Sequence, residues 1–208
     1  METSFQQRWQ MAWQNKNFRQ LFVTGFILLV AVLGFLPFFF KLIEQREGLV
    51  MNDLLLKHFT PYNVSTTIFI VIWGTALLSI VRCIQQPSIL IVLLWGYVLL
   101  TILRMVTITL VPLNPPASLL ELKDPLSNTF YGSKFITKDL FFSGHTSTMF
   151  LMYLCFKNKW DRTVGLLASI IVGVLVLVQH IHYTMDVLAV PPFTYLIFIA
   201  AKKITGKQ

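Results

Sequence analysis

Apolar residues in this chain come in long uncharged blocks, not in alternation or in narrow amphipathic stripes. The blocks fall at 21–40, 62–81 and 83–103, the third starting properly after Pro87, and then at 140–156, 163–179 and 183–201. A membrane crossing needs about 20 residues, with about 17 as the lower limit. The pattern therefore predicts an all-α polytopic membrane protein of six transmembrane helices, the fourth and fifth short enough to depend on packing. Pro37 falls inside the first block and Pro191-Pro192 inside the sixth, where kinks are tolerated if neighbours satisfy the freed carbonyls. Ahead of the blocks, residues 1–20 carry Phe5, Trp9 and Trp13 at four-residue spacing among Arg8, Lys16 and Arg19. Such a stripe suits a helix lying in the headgroup layer; the alternative is a polar tail with chance aromatics. The expected organisation is this interfacial segment followed by one membrane domain over 21–208.

Composition agrees with a membrane chain: 55% hydrophobic, 12% charged, mean hydropathy +0.68, too apolar for an ordinary soluble domain. The net charge of +8 is dispersed at the ends of the apolar blocks, so it reads as a topology signal and not as a nucleic-acid surface. Short cytoplasmic loops collect Lys and Arg. With the N-terminus inside, the cytoplasmic side holds ten basic residues, Arg8, Lys16, Arg19, Arg82, Lys157, Lys159, Arg162, Lys202, Lys203 and Lys207, against Glu2 and Asp161. The outer side holds seven, Lys41, Arg46, Lys57, Arg104, Lys123, Lys134 and Lys138, against six acids. Both termini are thus expected in the cytoplasm. Cys83 and Cys155 lack metal-ligand spacing and read as reduced structural thiols. No cleavable signal peptide is expected, since the first apolar block starts at Leu21 without a small-residue cleavage site after it. The longest connection, 105–139, lies on the outer side and carries Pro112, Pro115, Pro116 and Pro125, which forbid a regular helix through it. A lid or substrate-shaping loop is the reading for that length.

The chemistry concentrates on that outer side. Asp139-Leu-Phe-Phe-Ser-Gly-His-Thr146 puts His145 at the mouth of the fourth block, and His182 and Asp186 open the sixth, four residues apart. On a helix, residues four apart share a face, so the carboxylate can fix one imidazole nitrogen and leave the other facing outward. Ionisable groups at such positions point to function. Ser143 is a candidate N-cap, Gly144 permits close backbone approach, and a helix start beside Thr146 offers N–H groups that bind phosphate oxygens. His182 can attack phosphorus and His145 can give a proton to the departing oxygen. Arg104 can hold phosphate oxygens as a planar fork or simply snorkel. Asp139, with Lys138, flanks the histidine helix and can orient His145 or complement the helix dipole. His180, two residues from His182, would face away on a helix and act as a bystander. Zinc held by His145, His180, His182 and Asp186 lacks a recognised spacing, so no metal and no cofactor is expected.

Ser143-Gly144-His145-Thr146, together with His182-Tyr183-Thr184-Met185-Asp186, resembles the type 2 phosphatidic acid phosphatase (PAP2) superfamily of lipid phosphatases and phosphotransferases. The longer forms around both motifs are more similar to its sphingomyelin-synthase-like branch. Arg104 followed by Thr107, Thr109 and Pro112 is similar, at shorter spacing, to that branch's arginine-threonine-proline segment. The ordinary phosphatases' first motif, lysine followed after six residues by Arg-Pro, is absent, and Gln179-His180-Ile181 replaces their Ser-Arg lead into the last motif. Thr137-Lys138 stands where the synthases have Cys-Gly. The resemblance implies a PAP2-like bundle with His182 as nucleophile, Asp186 orienting it and His145 as acid for the leaving group.

The expected function is transfer of a phospho-head-group from a phospholipid to a lipid alcohol, ceramide or diacylglycerol, through a phosphohistidine-type intermediate. Water as acceptor would make the protein a lipid phosphate phosphatase instead. A non-catalytic lipid-binding scaffold is the alternative of another class, and a transporter a weaker one. The compact chain fits a bacterial member with a periplasmic site.

Overall fold

The computed structural model describes residues 4–122 and 136–206. Among them the regular structure is helical: α1 (Phe5–Gln14), α2 (Lys16–Gln45), α3 (Ser65–Gln85), α4 (Pro87–Leu110), α5 (Gly144–Cys155), α6 (Lys159–Val178), α7 (Thr184–Leu188) and α8 (Val190–Ile204). Pro125 and the charged residues Glu2, Lys123, Asp124, Lys134 and Lys207 lie outside the described residues, as does much of the expected outer loop.

Local chemistry sets most of the boundaries. Ser4 and Gln7 form a reciprocal capping box at the start of α1. Asn15 ends α1 in an extended conformation, and its side chain accepts the Asn17 and Phe18 amides at the start of α2. The first membrane helix therefore begins at Lys16, inside the segment 1–20 expected to be interfacial throughout. Gln86 is extended because a proline follows it, and Pro87 occupies the first turn of α4, where its missing N–H costs nothing. Cys83–Gln85 consequently finish α3 rather than opening the third span. α4 runs on to Leu110, so the first six residues of the expected 105–139 loop are helical, and Pro112 stops it.

Five helical stretches among the described residues are long and apolar enough to cross a membrane: Lys16–Gln45, Ser65–Gln85, Pro87–Leu110, Lys159–Val178 and Thr184–Ile204. The expected fourth span differs. Its helix, α5, has 12 residues, about 18 Å against a hydrocarbon thickness of about 30 Å. Even so, this segment runs the length of its neighbour. At one end Arg104 of α4 donates to the Phe142 carbonyl, and at the other the Lys157 ammonium donates to the Ser88 hydroxyl. The stretch of α4 between those contacts is about 24 Å long at about 1.5 Å per residue. Extended flanks on α5 supply what the helix lacks, and they are affordable because α5 is the centre of the bundle, packed by α3, α4, α6 and α8. Phe142, Met149 and Leu151 are buried there.

The sixth block is interrupted at Ala189, so Pro191 and Pro192 sit in the first turn of α8 and kink nothing. Outward-facing residues such as Phe38, Leu42, Ile70, Leu110 and Leu188 are exposed, as lipid-facing positions of a membrane bundle are. Arg82 and Asp161 form a two-pronged ion pair, 2.7 and 3.0 Å, between α3 and α6, at the end that also carries Lys157 and Lys159. Cys83 and Cys155 are buried and free.

Candidate active site

The two histidines of the motifs lie 37 positions apart, and their motifs are brought to the same end of the bundle. Ser143 caps α5, its hydroxyl 3.5 Å from the Thr146 amide and 3.0 Å from the Thr146 hydroxyl. Its backbone N–H donates to the Asp186 carbonyl at 3.1 Å, which joins the first motif directly to the second. Beneath them Gly173 of α6 faces both: a Cβ there would stand 3.1 Å from Val187 and 3.3 Å from Thr146. Absence of a side chain is what lets α7 and the start of α5 share one face of α6.

His182 and Asp186 are paired, but not as two positions on one helix. His182 precedes α7 and Asp186 is the third residue of it; the carboxylate reaches back, accepting the Tyr183 amide at 3.0 Å and lying 3.3 Å from His182 Nδ1. The pairing resembles a capping arrangement, which sequence spacing alone does not separate from an i, i+4 contact. It gives the pairing anticipated, with Nδ1 turned to the carboxylate. Both side chains are deeply buried, His182 2% and Asp186 0% exposed. His145 is half-buried in the first turn of α5, where N–H groups have no intrahelical acceptor and a partial positive charge gathers.

Arg104 belongs to this group and does not snorkel. Its Nε donates to the Phe142 carbonyl at 2.9 Å and Nη2 to Asp139 at 2.5 Å. The guanidinium lies against Gly144, so closely that a Cβ there would fall 2.5 Å from Nη1 and 2.6 Å from Cζ. A fixed fork is thus pressed onto the first turn of the histidine helix, and only glycine admits it. Thr107, one turn further along α4, donates to the Phe141 carbonyl at 2.9 Å. Asp139 accordingly holds the arginine. Lys138 lies apart: its ammonium donates to the Glu44 and Arg46 carbonyls at the end of α2, and the Glu44 carboxylate accepts the Thr137 and Lys138 amides. It moors the chain entering the site.

Three further residues have placements or contacts that the sequence pattern did not indicate. Gln179, fully buried, bonds Ser65 of α3, the Glu121 carbonyl and the Val64 amide, fixing the turn after α6. His180 in that turn has φ +56°, so the helical geometry that made it a bystander does not hold. Asp53 accepts the Thr184 amide at 2.6 Å and its hydroxyl at 2.9 Å, tying the loop after α2 to the start of α7. These contacts join residues 58 to 131 positions apart, and no local spacing signals them.

Burial alone would push the Asp53 carboxyl up, but the donors from Thr184, Leu56 and Leu55 outweigh it and hold the group below the ordinary 3.8. A carboxyl lowered on folding lends stability above its unfolded value and loses it as pH falls through the lowered one. Melting temperature is therefore expected to drop as pH falls below about 4, and Asp53→Asn to flatten that acid-side slope while lowering stability at neutral pH. Burial pushes His180 below the usual histidine range, against the opposing pull of Asp53. Among the described residues no group of three or more His, Cys, Asp or Glu is placed to hold a metal ion.

Residues 138–203 match the family model described as PAP2 superfamily C-terminal. The matched region carries both histidine motifs and spans about a third of the chain. The likeness to the PAP2 superfamily is to its C-terminal region and is confined to these residues. No curated protein and no solved structure matches the chain.

Proposed function

We propose that this protein is a membrane lipid phosphotransferase of the sphingomyelin-synthase-like kind, moving a phospho-head-group from a phospholipid to a lipid alcohol. The observation that carries the reading is the Ser143 N–H to Asp186 carbonyl bond, which draws the start of the His145 helix onto the His182–Asp186 pair. In the first step His182 Nε2 attacks phosphorus, and the bond from phosphorus to the diacylglycerol oxygen breaks. His145 delivers a proton to that oxygen. Asp186 stabilises the imidazolium and its tautomer, while Arg104 and the α5 N-terminus take the charge of the phosphoryl oxygens. In the second step the acceptor hydroxyl attacks the phosphohistidine, His145 takes its proton, and the phosphorus–nitrogen bond breaks.

Burial of His182 and Asp186 supports transfer over hydrolysis, since an adduct shielded from water survives to meet a lipid alcohol. The distribution of Lys and Arg supports cytoplasmic termini and a site on the outer face, in the manner of a bacterial member with a periplasmic site. On this reading the α5 segment makes the fourth of six crossings and α1 lies in the headgroup layer.

Purified protein in lipid nanodiscs, given headgroup-labelled phospholipid with and without ceramide or a diacylglycerol of different acyl chains, tests the claim. Label is expected in a new lipid only when the alcohol is present. Release of water-soluble headgroup phosphate, indifferent to the alcohol, would make the protein a hydrolase, and release of inorganic phosphate from phosphatidic acid a phosphatase. Wild-type protein with neither activity and unimpaired lipid binding would make it a scaffold.

A further inference from the structure

The chain leaving α2 meets both halves of the site in turn. At Glu44, in the last turn of α2, one carboxylate oxygen accepts the Thr137 and Lys138 amides, each at 2.7 Å, and the other accepts the Thr137 hydroxyl at 2.9 Å. Asp139 is the next residue, and its carboxylate holds Arg104 Nη2. Residues 136–143 form neither helix nor strand, so bonds from elsewhere in the fold set where Asp139 stands. Nine positions beyond Glu44, Asp53 accepts the amide and hydroxyl of Thr184, two residues from His182.

Between these two acids the loop is laid along the chain that follows α4. The Leu49 amide donates to the Pro112 carbonyl at 2.9 Å, and the Asn114 amide and side chain donate to the Leu49 and Gly48 carbonyls at 3.0 and 2.7 Å. Gly48 makes this approach possible. A Cβ there would stand 2.6 Å from the Leu113 carbonyl carbon, and backbone cannot swing aside as a side chain does. The Met51 amide then donates to the Tyr183 hydroxyl, which itself donates to the Asn114 carbonyl, and the ladder ends beside His182.

We propose that residues 44–53 are a clasp that fixes the arginine half of the site against the histidine half, with Glu44 the positioning residue for Arg104, acting through Thr137, Lys138 and Asp139. Its catalytic consequence rests on the function proposed above; the placement of Arg104 does not. A side chain at a reacting centre is only as well placed as the groups that support it. What Glu44 supplies is acceptors at a fixed reach, not charge: its carboxylate faces two amides and a hydroxyl, while the Lys138 ammonium goes to backbone carbonyls. Glutamine keeps that reach, with its carbonyl oxygen for the amides and its N–H for the Thr137 hydroxyl oxygen. Aspartate keeps the charge and falls one methylene short.

The Arg104 Nε–H, assigned in the NMR spectrum of the full chain by its loss in Arg104→Lys, reads the placement directly. It donates to the Phe142 carbonyl and is expected to exchange slowly with solvent. Glu44→Ala and Glu44→Asp are expected to speed that exchange at least about tenfold, and Glu44→Gln to leave it within about twofold. Should Glu44→Ala not fold, the aspartate and glutamine variants carry the test. Exchange unchanged in the alanine or aspartate variant would overturn the proposal, and so would aspartate matching wild type where glutamine does not. In turnover, Glu44→Ala is expected to lose about 10- to 100-fold in kcat/KM, to be restored by glutamine, and to add little to Arg104→Ala. Gly48→Ala, which forces the middle of the clasp apart, is expected to show the same coupling. A lowered melting temperature with kcat/KM unchanged per folded molecule would leave Glu44 a structural role only, and additive losses would break the route through Arg104. Faster Arg104 exchange in Glu44→Ala, in a protein whose wild type turns over no phospholipid, would indict the proposed function and leave the clasp standing.

Discussion

His182→Ala is expected to lower turnover by at least about 10³-fold, about 4 kcal/mol of transition-state stabilisation, while the protein keeps its helical content and elutes as the wild type does. The reason is positional. His182 is the imidazole whose Nδ1 is held 3.3 Å from the Asp186 carboxylate, so its Nε2 is the one nitrogen with a fixed orientation and a countercharge behind it. Asp186→Asn keeps the shape and the link from its carbonyl to Ser143, yet removes the charge that stabilises an imidazolium. It is expected to cost about 10²-fold or more, mostly in kcat. The two losses should not add, because both act on one imidazole. Trapping of radiolabelled phosphohistidine in wild type but not in His182→Ala is the direct check. An unchanged rate in His182→Ala would end the enzymatic reading at this site.

Gly144→Ala is expected to cost about 10- to 100-fold in kcat/KM, corresponding to one or two charge-assisted hydrogen bonds, with little loss of global stability. A methyl group there would stand 2.5 Å from Arg104 Nη1. Real contacts of that length do not occur, so something must move. The Arg104 side chain is the flexible partner, but moving it breaks its bonds to Asp139 and the Phe142 carbonyl. Alanine is otherwise a good helix former, so propensity works in the variant's favour and any loss of activity reports the arginine. Arg104→Ala and the double variant complete a cycle. If Gly144→Ala acts by displacing the guanidinium, it should add little to Arg104→Ala. Additive losses would show instead that Gly144 matters for backbone approach to substrate.

How far the sequence could be read depended on whether a signal was local. Uncharged blocks of membrane length marked the five helical stretches long and apolar enough to cross a membrane, because each such helix satisfies its own backbone and needs only composition to be seen. The fourth block was legible as apolar but not as a 12-residue helix with extended flanks, since the backbone of those flanks is satisfied by neighbours: Arg104 on Phe142, Thr107 on Phe141, Asp186 on Ser143. Similarly, the break at Ala189 converts Pro191 and Pro192 from expected kinks into first-turn residues. The helical phase assumed for His180 fails for a related reason. Its assignment as a bystander assumed helical phase, and the turn at φ +56° abolishes that phase.

By itself, then, the order of residues determined an all-helical chain of membrane character, the two histidine motifs and the pairing of His182 with Asp186, because these rest on composition and on contacts within a few positions. Tertiary structure alone decided that Arg104 presses on Gly144 and answers to Asp139, and that Asp53 anchors Thr184. It also decided that Glu44 holds Thr137 and Lys138. Each of these depends on segments that meet only after the bundle has closed around α5, where glycines at 144 and 173 permit approaches that no neighbouring residue in the chain announces.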